Sequence, residues 1–196
     1  MKTVKRIVAV LLAVMLMAPA AVNAASPSVT KKSINNKKAT ATATYNGKNQ
    51  LPKTVRIDGK NLVVGTDCVI VKKTCKNAKK YVLTVKGIGK YSGKTDLVFV
   101  INKAKQSIKT AVEQKSYKAT ALKKAKKTFN LKTKAAAKVT YTVSGAKNAK
   151  KYIKVAKNGK VTVKKGIKKG IYKIVIKAKA TKNYKATQRT VRVIIK

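Results

Sequence analysis

No histidine and no tryptophan occur in this chain, and only four of its 196 residues are acidic: Asp58, Asp67, Asp96 and Glu113. Each shortage closes a class of function. Without histidine there is no Ser-His-Asp triad and no His-bearing zinc site. A glycoside hydrolase needs two carboxylates about 5–10 Å apart. The nearest pair in sequence, Asp58 and Asp67, lies in Asp58-Gly59 and Gly65-Thr66-Asp67, where turn formation accounts for both. A lysine or cysteine nucleophile stays open as chemistry, but nothing singles one out. The sequence therefore points to no catalytic, cofactor-binding or metal-binding residues and to a protein that is not an enzyme. Arginine, the usual bidentate reader of base edges, is limited to Arg6, Arg56, Arg189 and Arg192. Stacking aromatics are equally few, which argues against sequence-specific nucleic-acid recognition and against an aromatic sugar platform. The eight tyrosines read as core or corner residues.

What is abundant is lysine. Lys and Arg together number 49, for a formal net charge of +45. The first basic residues, Lys2, Lys5 and Arg6, precede an apolar run from Ile7 to Ala18 that is short for a bilayer and is broken by Pro19. Val22-Asn23-Ala24 places small residues at the −3 and −1 positions of a signal-peptidase site. We expect cleavage after Ala24 and export. The alternative for the same stretch is an uncleaved N-terminal membrane anchor. No cysteine follows to carry a lipid, no later apolar run is long enough to span a membrane, and Val191–Lys196 reads as a strand. The expected location is secreted or extracellular, with cell-wall association possible through charge. The 172 residues from 25 to 196 carry 46 basic and four acidic groups. That length fits one large or two small domains. Apolar residues make up 44% of the chain, enough for a core, but aromatics only 5%, so Val, Ile, Leu and Ala must fill it.

Beyond a Ser/Lys/Asn-rich lead-in over residues 25–38, polar and apolar residues alternate with period two, the mark of half-buried strands. Asn46-Gly47, Asp58-Gly59 and Asn158-Gly159 are turn dipeptides between such runs. In Lys173–Lys179, Ile174, Ile176 and Ala178 share one face and Lys173, Lys177 and Lys179 the other. Ala119 to Ala137 is rich enough in Ala, Lys and Leu for a helix to compete, but is read as loop and strand. Gly87-x-Gly89-x-x-x-Gly93 lacks the spacing and following helix of a phosphate loop and reads as a turn. The halves repeat at an offset of 93, matching Tyr91 with Tyr184, Val98 with Val191 and Val100 with Val193. The expected architecture is all-β, two tandem antiparallel β-sandwich domains over 39–102 and 103–196. Cys68 and Cys75 stand about 23 Å apart if the strand between them is continuous. Only a turn near Lys72-Lys73-Thr74 would bring their Cα atoms within the roughly 7 Å a disulfide needs, and both possibilities stay open.

The order Tyr45-Asn46-Gly47-Lys48, Pro52, Asp58-Gly59, Gly65-Thr66-Asp67, Asn77-Ala78 and Gly87-Ile88-Gly89-Lys90-Tyr91-Ser92-Gly93 resembles the bacterial immunoglobulin-like repeats of secreted and surface proteins of Gram-positive bacteria. The second half, with Val139-Thr140-Tyr141, Asn158–Gly166 and Gly170-Ile171-Tyr172, is similar to the lysine-rich modules found beside such repeats. Two positions depart from the pattern: Cys68 stands where an aromatic is usual, and Lys79-Lys80 where a glycine is usual. The resemblance implies immunoglobulin-like sandwiches that serve as spacers, stalks or adhesive units.

Lysines cluster at Lys123, Lys124, Lys126 and Lys127, at Lys150 and Lys151, at Lys164 and Lys165, and at Lys168 and Lys169. Any one cluster is explained by a solvated strand face. Taken together, with 30 basic groups against one acidic from residue 103 onward, they must create a strong positive field. The expected partners are anionic cell-wall polymers or acidic polysaccharides, engaged electrostatically. The expected function is a secreted or surface-associated structural or adhesive module. Two alternatives are a cationic effector acting on anionic membranes, nucleic acid or acidic glycans, and a fragment of a larger surface protein.

Overall fold

The computed structural model describes residues 30–71 and 73–196; the expected signal peptide, the first part of the lead-in and Lys72 lie outside the described residues. Eight strands build the first half: β1 (Lys32–Ser33), β2 (Ala39–Thr44), β3 (Thr54–Ile57), β4 (Lys60–Val63), β5 (Cys68–Ile70), β6 (Lys80–Gly87), β7 (Tyr91–Ser92) and β8 (Lys94–Asn102). Six of them form one sheet in the order β4-β3-β2-β8-β6-β5. β2 is the corner piece. It runs parallel to β8 along its whole length but meets β3 only at Ala39 and Thr40. A bridge between Val64 and Cys68 joins the outer ends, so the six strands wrap round one core. Asp58 and Gly59 both have positive φ, 47° and 79°, as a two-residue hairpin between right-twisted strands requires.

The second half contains β9 (Gln114–Tyr117), α1 (Ala119–Lys124), β10 (Lys127–Asn130), β11 (Val139–Gly145), α2 (Ala149–Tyr152), β12 (Ile153–Val155), β13 (Lys160–Val163), β14 (Gly170–Ala178) and β15 (Thr187–Ile195). A four-stranded sheet, β11-β14-β15-β9, faces a three-stranded one, β10-β13-β12. Antiparallel ladders dominate in both halves, and in each the last long strand pairs in parallel with a strand from the start of that half. Part of the segment read as loop and strand is instead a helix of six residues, Ala119–Lys124, held by its buried Leu122.

Two apolar clusters sit in these sheets and share no residue. Leu62, Leu83, Leu97 and Phe99 belong to the first; Leu122, Leu131, Ile174, Ile176 and Val193 belong to the second. The chain is thus two tandem all-β sandwich domains, each closing its own core. The lead-in is not wholly outside: Ile34 is 2% exposed and belongs to the first cluster, and Lys32–Ser33 pairs with Tyr91–Ser92.

The internal repeat is real in three dimensions, but its register differs from the one read in sequence. Val98 and Val100 are half-buried on the outer face, whereas Val191 and Val193 are fully buried. Because strand side chains alternate faces, an offset of 93 matches an outward residue with an inward one. Leu97, Phe99 and Ile101 are the inward set that corresponds to Val191, Val193 and Ile195. The neighbouring strand fixes this pairing: Tyr81 lies opposite Phe99, and Tyr172 opposite Val193.

Both tyrosines play the same part. The Tyr81 hydroxyl donates to the Asn77 carbonyl at 2.9 Å and accepts from the Asn77 N–H at 3.0 Å. The Tyr172 hydroxyl donates to the Lys168 carbonyl at 2.9 Å. Each bond reaches back four residues, the corner arrangement by which Greek-key sandwiches tie a crossing loop to the strand that follows. Burial pushes the Tyr172 phenol above its ordinary pKa, with Tyr152 adding to the effect, so the donor keeps its proton. Tyr81→Phe and Tyr172→Phe should each lower the unfolding free energy by about 1–2 kcal/mol, since each strands a loop partner. The double variant should lose the sum within about 0.5 kcal/mol because the cores are separate. Urea unfolding checks this, and a loss near zero in both would remove the corners from the account.

Candidate functional site

The four lysine clusters, far apart in sequence, meet at one end of the second domain. β13 is central. Val163 lies opposite Lys127 of β10 on one side and opposite Ile153 of β12 on the other. Three strands therefore end level, with Lys126, Lys151 and Lys164 immediately beyond or beside them. The Lys164 N–H donates to the Tyr152 carbonyl at 2.8 Å, which fixes the 164–165 pair beside α2. The Gly166 N–H donates to the Leu122 carbonyl at 3.1 Å, which seats the same turn against α1, whose last turn carries Lys123 and Lys124. Ile167, 4% exposed, plugs the loop into the core. The chain then passes through Lys168 and Lys169 to the Tyr172 corner. All ten lysines are exposed.

The apolar floor explains why the chain folds this way locally. Leu122, Ile153, Val163 and Ile167 are all buried, so each cluster is the solvent side of a segment whose neighbour is anchored inside. Lys147, on the approach to α2, also lines a surface groove of about 490 Å³ with Lys150 and Lys151. Sequence reasoning passes over it because it is a single lysine; only the turn at Asn148, with φ 62°, places it there.

No carboxylate side chain offsets this end. There is no Asp or Glu from residue 114 to 196. Glu113 is engaged by Arg189. In the first domain, Asp58 pairs with Lys37 at 3.1 Å; Asp67 accepts from the Val63 N–H at 3.0 Å and lies 3.9 Å from Lys90. Adjacent strands stand about 4.8 Å apart, less than the Debye length of about 8 Å at physiological salt, so the fields of neighbouring lysines add. Such a surface concentrates anions and carries like-charge repulsion that a bound polyanion relieves.

The lysine end lies away from the contact with the first domain. That contact is built on the loop after β14: the Ala78 N–H donates to Asn183 Oδ1 at 2.9 Å, and the rings of Tyr45 and Tyr184 meet edge-on at 5.4 Å. The nine residues of β14 separate the two ends by about 26 Å.

The other candidates resolve into structure. Gly87 and Gly93 belong to the β6–β8 connection, where a Cβ on Gly87 would lie 2.8 Å from the Ser92 nitrogen. No disulfide joins Cys68 and Cys75: both are free, fully buried thiols. The strand carries the chain away from Cys68, while the Cys75 N–H is held by Asn49 Oδ1 at 2.6 Å on a different loop. Burial pushes both thiols above their ordinary pKa; Asp67 adds to the effect at Cys68, and Lys73 and Lys79 oppose it at Cys75. Among the described residues, no helix is long and apolar enough to cross a membrane.

No protein-family model and no curated protein matches the chain. Solved structures do. Drosophila N-cadherin EC1-4 aligns at a TM-score of 0.39 and 12% identity, covering 83% of this chain, and this chain spans 51% of its length. Drosophila OTK extracellular domains 3-5 align at 0.37 and 12% identity, over 81% of this chain and 60% of theirs. The N-terminal four Ig domains of Dscam1 align at 0.32 and 9%, over 81% of this chain and 50% of theirs.

Because both thiols are buried and their pKa values raised, a thiol-reactive chromogenic reagent at neutral pH should label neither cysteine in the native protein over minutes and both after denaturation. Rapid native labelling of either would contradict the placement.

Proposed function

We propose that this chain is a non-enzymatic, immunoglobulin-like structural or adhesive module, secreted or held at a bacterial cell surface, and that the lysine end of its second domain is what binds it to anionic envelope polymers or acidic polysaccharides. The observation that carries this reading is the convergence of ten lysines on one end free of acidic side chains, by backbone register and loop hydrogen bonds. A merely soluble surface needs lysines on outer faces; it does not need four clusters gathered in one place. The lack of histidine and the use of Asp58, Asp67 and Glu113 in ion pairs support a role without catalysis. Attraction of this kind is sequence-independent, sums over many phosphates or carboxylates and falls steeply with salt.

The test compares two variants in which the same number of charges is removed. One replaces Lys123, Lys124, Lys164 and Lys165 with Gln; the other replaces Lys48, Lys53, Lys76 and Lys86 of the first domain. Binding to an immobilised polyphosphate is followed against salt. The first variant should flatten the plot of log affinity against log salt by about 3 units, since each lysine–phosphate pairing on a single-stranded polyanion adds roughly 0.7 to the slope. The second variant should barely change it. Equal flattening in both would mean that only net charge matters. In cell fractionation the protein should wash off near 1 M salt, where the Debye length is about 3 Å. Retention through that wash would mean that something other than charge holds it.

A further inference from the structure

The first domain holds a separate charged pocket, which the lysine end of the second domain does not explain. It is a cavity of about 300 Å³ between β1, the β3–β4 hairpin and β7, lined among others by Lys32, Lys37, Asp58, Lys60, Ile34 and Tyr91. Its walls are fixed. The Lys32 N–H donates to the Lys90 carbonyl at 2.8 Å and the Ile34 N–H to the Ser92 carbonyl at 2.9 Å, so β1 is pinned on both sides of Ser33. Lys60 follows directly on the tight Asp58-Gly59 turn, and its register partner is Ile57. The floor is apolar, with Ile34 2% and Ile57 3% exposed, while Tyr91 stands half-buried at the side.

The charges do not balance. Asp58 is the pocket's carboxylate, and Lys37 takes it at 3.1 Å. Lys32 and Lys60 line the same pocket, and among the described residues neither is in an ion pair. The neighbouring Lys60 side chain holds the Lys32 ammonium below its ordinary pKa, Lys37 adds in the same sense, and Asp58 pulls the other way. Two ammonium groups without a carboxylate partner, on the walls of a pocket with an apolar floor, form the complement of an anion with a carbon body.

We propose that this pocket binds a small organic carboxylate of about monosaccharide size, with the carboxylate set between Lys32 and Lys60 and the carbon body lying against Ile34 and Tyr91. The site is independent of the lysine end and stands or falls apart from it. The ligand is bound whole, with no bond made or broken.

Competitive trace acetylation of the full chain, read lysine by lysine by mass spectrometry, tests it with three probes: glucuronate, glucose and inorganic phosphate. Glucuronate should slow acetylation of Lys32 and Lys60 at least fivefold relative to exposed Lys154, and should do so at a tenfold lower concentration than phosphate. Glucose, which has the body without the charge, should protect neither lysine. Lys60→Gln should abolish the protection of Lys32. The proposal is overturned if glucuronate protects Lys32 and Lys60 no better than Lys154, if glucose protects as well as glucuronate, or if phosphate protects equally, which would mark a bare charge effect. The wild-type measurement decides the matter even if the variant fails to fold.

Discussion

Everything in this molecule depends on keeping 46 like charges outside while closing two small cores with almost no aromatic residues. The alternating strand is the solution. In β14, Tyr172, Ile174, Ile176 and Ala178 go inward, and Lys173 and Lys177 go outward. Each buried aliphatic side chain contributes about 1.5–3 kcal/mol. Each lysine on the outer face keeps its ammonium in water at little cost. A helical fold would need a wider apolar stripe and would crowd lysines at i and i+4 on its flanks, where like charges repel. Short strands with tight turns separate the two tasks residue by residue.

The two domains share this plan and the tyrosine corner, but their outer faces differ. Val82 lies opposite Val98 on the first sheet, whereas the corresponding pair on the second is Lys173 opposite Arg192. Val82 is 51% exposed. The inward positions correspond, while this outward pair differs in charge. The proposed polyanion surface belongs to the second domain, and the proposed carboxylate pocket to the first.

Much of the fold is legible in the sequence because it rests on local chemistry. Asp58-Gly59 predicts a hairpin since few other residues tolerate positive φ at both positions, and the hairpin is there. The inward and outward sets of β14 follow directly from period two. What is not legible depends on partners distant in sequence. The repeat register read from sequence is off by one residue because Val and Ile stand on both faces of β8 and β15, and only the cross-strand partners Tyr81 and Tyr172 break the tie. Ile34 reads as lead-in because it stands alone among polar residues, yet it belongs to the first core, together with residues far along the chain such as Leu97 and Phe99. The lysine clusters can be seen one by one. Their meeting cannot, since it comes from Val163 pairing with both Lys127 and Ile153 and from Gly166 reaching Leu122.

In the function proposed above, placement, and not charge alone, makes the second domain's far end bind anions. The most direct test is a nuclear magnetic resonance titration of the isotopically labelled protein with polyphosphate at 0.15 M salt, where charges more than about 8 Å apart are screened. The account predicts saturable shifts concentrated at residues 122–127, 147–153 and 164–169, with the lysines of the first domain moving little. Shifts of similar size spread over the lysines of both domains would contradict it.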